Sequence, residues 1–263
     1  MGEVIVITSG KGGVGKTTTT ANLGAGLAAL GQRVCLIDAD IGLRNLDVVM
    51  GLENRIVYDL VDVTGGSCSF RKALIKDKRF EHLFLLPAAQ TKDKTAVNPA
   101  QMVALCKEIR EDFDHVIIDC PAGIEQGFRN AIAGADQAIV VTTPEVSAVR
   151  DADRIIGLLE KEDLREPKLI INRIRHQMVK HGDMMSIDDI IEILAVDLLG
   201  VVPEDELVVV STNRGEMVVI NNTSRSGQAY RNIVRRINGE DVPMMDLESN
   251  GLMSKLRRII GLK

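Results

Sequence analysis

A chain of 263 residues with 45% hydrophobic composition can bury a large core, as one broad α/β domain or two small ones. A formal charge of -5 has the wrong sign for a general nucleic-acid binder and leaves only a local basic patch for such contacts. The four cysteines (Cys35, Cys68, Cys106, Cys120) make no C-x-x-C pair and no cluster with the four histidines, so they read as reduced thiols of an intracellular protein, not as a metal site.

The first predicted strand, Val4 to Thr8, begins almost at once, which leaves no room for a signal peptide. No apolar run approaches the length needed to cross a bilayer. The expectation is a soluble, cytoplasmic protein, with surface contact to a membrane left open. A glycine-rich turn follows, then a helical pattern near 18–30. Further strands are predicted at Val34–Asp38, Leu83–Pro87, His115–Asp119, Gln137–Thr142, Lys168–Asn172 and Leu199–Val202, with helical patterns near 98–112, 125–133, 147–160, 186–196 and 224–237. Near-continuous apolar strands separated by helices predict a single α/β domain, a mostly parallel central sheet flanked by helices, with ligands beyond the carboxyl ends of the strands. The domain spans 1–237. Residues 238–251 read as a flexible polar connector, and 252–263 as a separate amphipathic segment.

The turn after the first strand is Gly10-Lys11-Gly12-Gly13-Val14-Gly15-Lys16-Thr17, which satisfies GxxxxGK[ST] between a strand and a helix. Its glycines allow close backbone approach, so that successive N–H groups can face phosphate oxygens, aided by the positive end of the helix that follows. Lys16 is expected on the β and γ phosphates and the Thr17 hydroxyl on Mg²⁺. Such a site needs carboxylates where neighbouring strands emerge, and Asp38-Ala39-Asp40 and Asp119-Cys120-Pro121-Ala122-Gly123 supply them. Asp119 is expected to hold the metal through water, and Gly123 to turn its N–H toward the γ-phosphate. Asp38 and Asp40 would face oppositely on a continued strand, so one can serve the metal region and the other a water. Asp40, further into the loop, is the better candidate for the attacking water, with positioning and charge stabilisation carrying most of the rate. A second lysine, Lys11, stands at the mouth of the loop. It can reach phosphates held by a facing subunit as a charge-donating finger, or bind its own phosphates or solvent.

At helical spacing, Leu252, Met253, Leu256, Ile259 and Ile260 gather on one side of the tail, with Ser254, Arg257 and Arg258 opposite and Lys255 near the boundary. That is the pattern of a helix lying in an anionic membrane surface; a last helix docked on the sheet is the other reading. Two tails on a dimer would raise affinity by about 10²–10⁴-fold if both can engage.

The doubled lysine, KGGxGKT, resembles the signature of the deviant Walker A P-loop ATPases, the ParA/MinD family. Its septum-positioning members are similar over most of the chain, through Thr8 to Thr18, Asp38 to Asp47, Ala73 to Asp77, Leu86 to Thr91, Pro121 to Glu125 and Pro144 to Asp153. This resemblance implies a Mg²⁺-dependent ATPase converting ATP and water to ADP and phosphate, slow alone and stimulated by a partner and the membrane. Nucleotide would be held by residues 10–18, from Gly10 to Thr18, including Val14. Thr17, Asp38 and Asp119 would lie at the metal, and Lys11, Lys16 and Asp40 would act in catalysis, Lys11 across the dimer. Asn45 would belong to the nucleotide-responsive loop, and Glu145 and Asp151 would hold the signature lysine when it leaves phosphate. Asn172 and Arg173 would read adenine, under a loop of Pro203, Glu204 and Asp205. Implied partners are a second copy with ATP, anionic lipid through the tail, a MinC-like division inhibitor, and a MinE-like or DivIVA-linked topological regulator. Localisation would be cytoplasmic, and peripheral on the inner face of the cell membrane with ATP. DNA binding of the ParA kind is the alternative, opposed by the acidic total and the tail.

Overall fold

A computed structural model of the chain describes residues 1–247. Eight strands form one sheet: β1 (Glu3–Thr8), β2 (Val34–Asp38), β3 (Ile75–Lys76), β4 (Leu83–Leu86), β5 (His115–Asp119), β6 (Gln137–Thr142), β7 (Lys168–Ile174) and β8 (Leu198–Pro203). Their order is β3-β4-β2-β5-β1-β6-β7-β8. Every pairing is parallel except β3 with β4, which is antiparallel.

The helices are α1 (Lys16–Ala29), α2 (Leu46–Val49), α3 (Leu60–Thr64), α4 (Phe70–Ala73), α5 (Pro99–Ile109), α6 (Gln126–Ile132), α7 (Val146–Lys161), α8 (His176–His181), α9 (Ile187–Leu194), α10 (Glu206–Asn213) and α11 (Arg225–Ile237). Alternation along each strand divides the core in two. Val4 and Val6 of β1 pack with residues of α5, α6, α7 and α9 on one face. Ile5 and Ile7 pack with residues of α1 and α11 on the other. Strands covered on both faces are apolar throughout, which is why they read from the sequence as short continuous runs.

The seven predicted strands and six predicted helices are all present. The sequence pattern does not predict β3 or the short helices α2, α3, α4, α8 and α10. Most of these carry too few turns for an apolar period to register. Helix α10 contains the β-branched run Val208-Val209-Val210 and forms because Asp205 caps it, accepting the Leu207 N–H at 2.9 Å.

The connector requires a correction over its first part. Arg236 donates to the carbonyls of Val242 and Pro243 at 2.8 Å each. Arg225 donates to those of Asp246 and Leu247 at 2.9 and 3.1 Å. Residues 242–247 are therefore strapped along α11, not free, because guanidinium groups on that helix satisfy carbonyls that a free chain would leave to water. The tail predicted over 252–263 lies outside the described residues. Among the described residues no helix is long and apolar enough to cross a membrane.

Candidate nucleotide site

The loop after β1 is shaped by its backbone. Gly13 and Gly15 have φ of +81° and +99°, the left-handed region that glycine enters without strain. A Cβ on Gly10 would lie 2.3 Å from the Asp151 carbonyl oxygen, and one on Gly15 would lie 2.3 Å from the Asn172 amide nitrogen. The loop is thus gripped between α7 and β7, and Asn172 Nδ2 donates to the Val14 carbonyl at 2.8 Å. At Gly13 and Gly123 a Cβ would meet nothing within 4 Å, so both border open space. The first turn of α1 carries no acidic residue, so its positive end stands uncompensated at that space. Lys16 is buried at 8% exposure and Thr17 is half-buried.

Asp38 and Asp119 are register partners at the ends of β2 and β5, with Ile7 of β1 on the other side of Asp119. Asp119 accepts from Thr20 Oγ1 at 3.3 Å. Burial pushes its carboxyl above the ordinary range, against the lowering effects of the Thr17 hydroxyl, Lys16 and Thr20. Asp38 is fully buried and accepts three backbone N–H groups, from Asp40 at 2.9 Å, Asn45 at 3.2 Å and Leu46 at 3.1 Å. Oδ2 accepts two of these and Oδ1 one, which leaves a lone pair on Oδ1. Through these bonds Asp38 winds the loop that leads into α2. Burial raises its carboxyl too, and so does Asp119 opposite.

Asp40 is different. It is half-buried, and its Oδ1 is enclosed without a hydrogen-bond partner among the described residues. Burial raises it, while Lys94 and Lys16 pull it down. An orphaned carboxylate oxygen, a cradle of open glycines, a buried lysine, and a threonine hydroxyl beside Asp119 together fit a triphosphate with a hydrated divalent cation. Lys94 was not among the sequence candidates; it sits on a short 3₁₀ turn, Lys94–Ala96, with no motif to mark it.

Lys11 is exposed, and its Nζ donates to Ser147 Oγ at 3.1 Å. The partners expected for it were Glu145 and Asp151. Glu145 instead accepts from Thr143 Oγ1 at 2.6 Å, and the backbone of Asp151 abuts Gly10. Ser147 takes the lysine because it stands on the first turn of α7, where a hydroxyl faces the loop. Asn45 ends the Asp38 loop as the N-cap of α2. Gly123, at φ +97°, turns the chain after β5 beside the loop.

The residues expected around a base meet in one cavity of about 190 Å³. It is lined by Gly15, Thr18, Asn172, Arg173, Pro203, Glu204 and Asp205, and also by Val208, Val209 and Tyr230, which the sequence reading missed. A register shift between β7 and β8 beyond Ile171, with Arg173 at φ +57°, carries Asn172 and Arg173 out to this cavity. Asn172 spends one amide hydrogen on Val14 and accepts the Arg173 N–H at 3.0 Å, which leaves one hydrogen and one lone pair for a base. Asp205 is more restricted. It accepts from Ser224 Oγ at 2.6 Å, Ser226 N at 3.2 Å and Leu207 N, joining α10 to α11. Burial alone would raise its carboxyl, but these bonds together hold it below the ordinary range. It shapes the cavity as a structural clamp, and Glu204 stays more exposed, 3.9 Å from Arg175. A larger cavity of about 730 Å³ adjoins it between α7, α8 and α9, sharing Arg173 and Glu204.

A glycine loop running from a strand into a helix end, paired strand-end carboxylates, and a cavity beside the loop at the carboxyl edge of the sheet define a P-loop nucleotide-binding protein. The chain belongs to the CobQ/CobB/MinD/ParA nucleotide binding domain family, which it matches over residues 5–243. It is 61% identical to the septum site-determining protein MinD of Bacillus subtilis (strain 168), over 100% of both chains. It is 56% identical to the protein of the same name from Synechocystis sp., over 98% of both. Among solved structures it is similar to the MinC:MinD cell division protein complex of Aquifex aeolicus, with a TM-score of 0.87 and 50% identity, covering 93% of this chain and 99% of that one. Membership of this family implies ATP hydrolysis.

Proposed function

We propose that the chain is an ATP-controlled dimer that cycles on and off the membrane and positions the division septum. The observation that carries this reading is Lys11, exposed at the rim of the phosphate loop and resting on a neutral hydroxyl, Ser147, from which it can leave cheaply. A lysine so placed can reach the phosphates of a facing copy. The backbone of residues 10–17 and the end of α1 hold the phosphates, and Lys16 aligns them. Thr17, and Asp119 through water, would hold Mg²⁺, and that ion would supply charge neutralisation at the transferring phosphate. Asp40 orients water with its free oxygen, and Lys11 adds charge across the dimer. Positioning and electrostatics carry the rate, since there is little covalent chemistry for the protein to do.

The relatives named for septum siting support the cellular role, and the Aquifex aeolicus complex supports a MinC-like inhibitor as partner. The exposed residues Glu145, Val146 and Ser147 at the start of α7 suit such a partner, because they adjoin Lys11 and change surroundings when it moves. A topological regulator, MinE-like or DivIVA-linked, would compete there and speed hydrolysis. The tail, with Leu252, Met253, Leu256, Ile259 and Ile260 apolar and Arg257 and Arg258 basic, is the membrane anchor, effective as a pair.

The test is sedimentation with anionic liposomes in Mg²⁺-ATP and Mg²⁺-ADP. Binding in ATP that disappears in ADP, and on removal of residues 252–263, is the expected result. Retention of the truncated chain would overturn the anchor. Lys11→Ala should remain a folded monomer in ATP by light scattering; a dimer of that variant would overturn the crossing lysine.

A further inference from the structure

Arg79 lies between β3 and β4, outside every motif discussed above, yet all of its guanidinium nitrogens are engaged. Nε and Nη2 donate to the Asp77 carboxylate at 3.1 and 2.7 Å. Nη2 also donates to the Met50 carbonyl at 2.7 Å, and Nη1 donates to the Gly215 carbonyl. Asp77 is buried at 2% exposure and fixes the plane of the fork by accepting the Arg79 N–H as well, at 2.7 Å.

The two carbonyls belong to the two ends of the site. Met50 closes α2, whose start is held on Asp38 through the N–H groups of Asn45 and Leu46. Gly215 follows α10, whose residues Val208 and Val209 line the base cavity. Between them the backbones touch directly: a Cβ on Gly215 would lie 2.6 Å from the Cα of Gly51, and both glycines have φ of +65°. No flexible side chain separates the two segments there. A continuous strut thus runs from the base cavity through α10, Gly215, Arg79 and Met50 to the loop wound on Asp38, which carries Asp40.

We propose that Arg79 is a positioning residue that couples an occupied base cavity to the Asp38–Asn45 loop. With a base seated against Val208 and Val209, α10 is fixed, and the strut fixes α2 and the loop at the γ-phosphate end. Binding energy from the non-reacting base is thereby used to orient the reacting end. The fork matters, since lysine keeps the charge but cannot span two carbonyls and a carboxylate in one plane. This rests on the reading of the 190 Å³ cavity as the base site.

Amide hydrogen exchange on the full chain tests it, with saturating ADP compared with pyrophosphate. Both ligands should protect residues 10–17, and ADP alone should protect 206–213. The native chain should also show exchange at Asn45 and Leu46 slowed further by ADP than by pyrophosphate, about tenfold for a coupling of ordinary size. Equal slowing by the two ligands would overturn the coupling with no variant needed. Arg79→Lys should keep the ADP protection at 206–213 and lose the extra protection at 45–50; retention there would overturn the role of Arg79. Absence of protection at 10–17 would remove the nucleotide site itself, and protection at 10–17 without 206–213 would remove the base cavity, each taking this proposal with it. In turnover, native kcat should fall when ATP is replaced by ribose 5′-triphosphate, while Arg79→Lys should show the same kcat with both. A merely structural arginine would lower stability and leave that kcat ratio intact.

Discussion

At the phosphate end of the site, Gly10 to Thr17 are consecutive, and the carboxylates that join them stand at the tips of adjacent strands, Asp38 opposite Asp119. At the end proposed to hold the base, Gly15 and Thr18 meet residues from 172–173, 203–209 and 230, brought together by a register shift in the last strand pair and a clamp at Asp205. The glycine loop takes its shape from local backbone geometry and gains its carboxylates from the parallel register of β2 and β5, whereas the second arrangement depends on packing among several distant elements. Damage at the phosphate end should therefore cost chemistry while sparing stability, and damage at the base end should cost both.

The largest expected effect is at Lys16. Lys16→Ala should lower hydrolysis by about 10²–10³-fold, the scale for removing one preorganised charge donor, with the thermal midpoint nearly unchanged. A large loss of stability would break the distinction between the ends. Asp40→Asn comes next: turnover should drop about 10²-fold with ATP binding retained, measured by equilibrium dialysis beside phosphate release. Equal turnover would remove Asp40 from the reaction.

Asp205→Ala probes the base end. Loss of the cap should cost about 1–2 kcal/mol in urea unfolding, and ADP should bind more weakly while pyrophosphate binds as before. Weakened pyrophosphate binding would mean that the two ends are not separable at this residue. The smallest effect is a pH slope. Asp38 and Asp119 are held above the ordinary carboxylate range by burial, and Asp38 also by Asp119 opposite. The folded chain then holds protons that the unfolded chain has lost, so nucleotide-free stability should fall as pH rises from about 4 toward neutrality. Asp119→Asn should flatten that slope, as followed by denaturant midpoints at pH 5 and pH 8. An unchanged slope would place the proton uptake elsewhere.

Much of this site is legible in the sequence because its parts repeat a local rule. Val34 to Asp38 and His115 to Asp119 are apolar runs that end in a carboxylate, and each tip becomes a site position once the strands lie parallel. Partner choice is less legible. Lys11 rests on Ser147 instead of Glu145 or Asp151, since the outcome depends on which side chain of one helix turn faces the loop. Val208, Val209 and Tyr230 carry no chemical signature, and Arg79 is one cation among many until Asp77, Met50 and Gly215 surround it. Asp38 is legible as a strand-end carboxylate, while its part in anchoring the loop through three N–H donors is not.

The order of residues alone determined the parallel sheet, the phosphate loop and the carboxylates beside it, because apolar periodicity and glycine backbone freedom act within a few residues. It also carries the basic, apolar pattern of the last dozen residues. Only the tertiary structure decided where the cavity beside Asn172 closes, that Asp205 is a clamp, and that a guanidinium joins α2 to α10. Those features depend on contacts between segments far apart in the chain, where a hydrogen bond forms only after the sheet has set the distance.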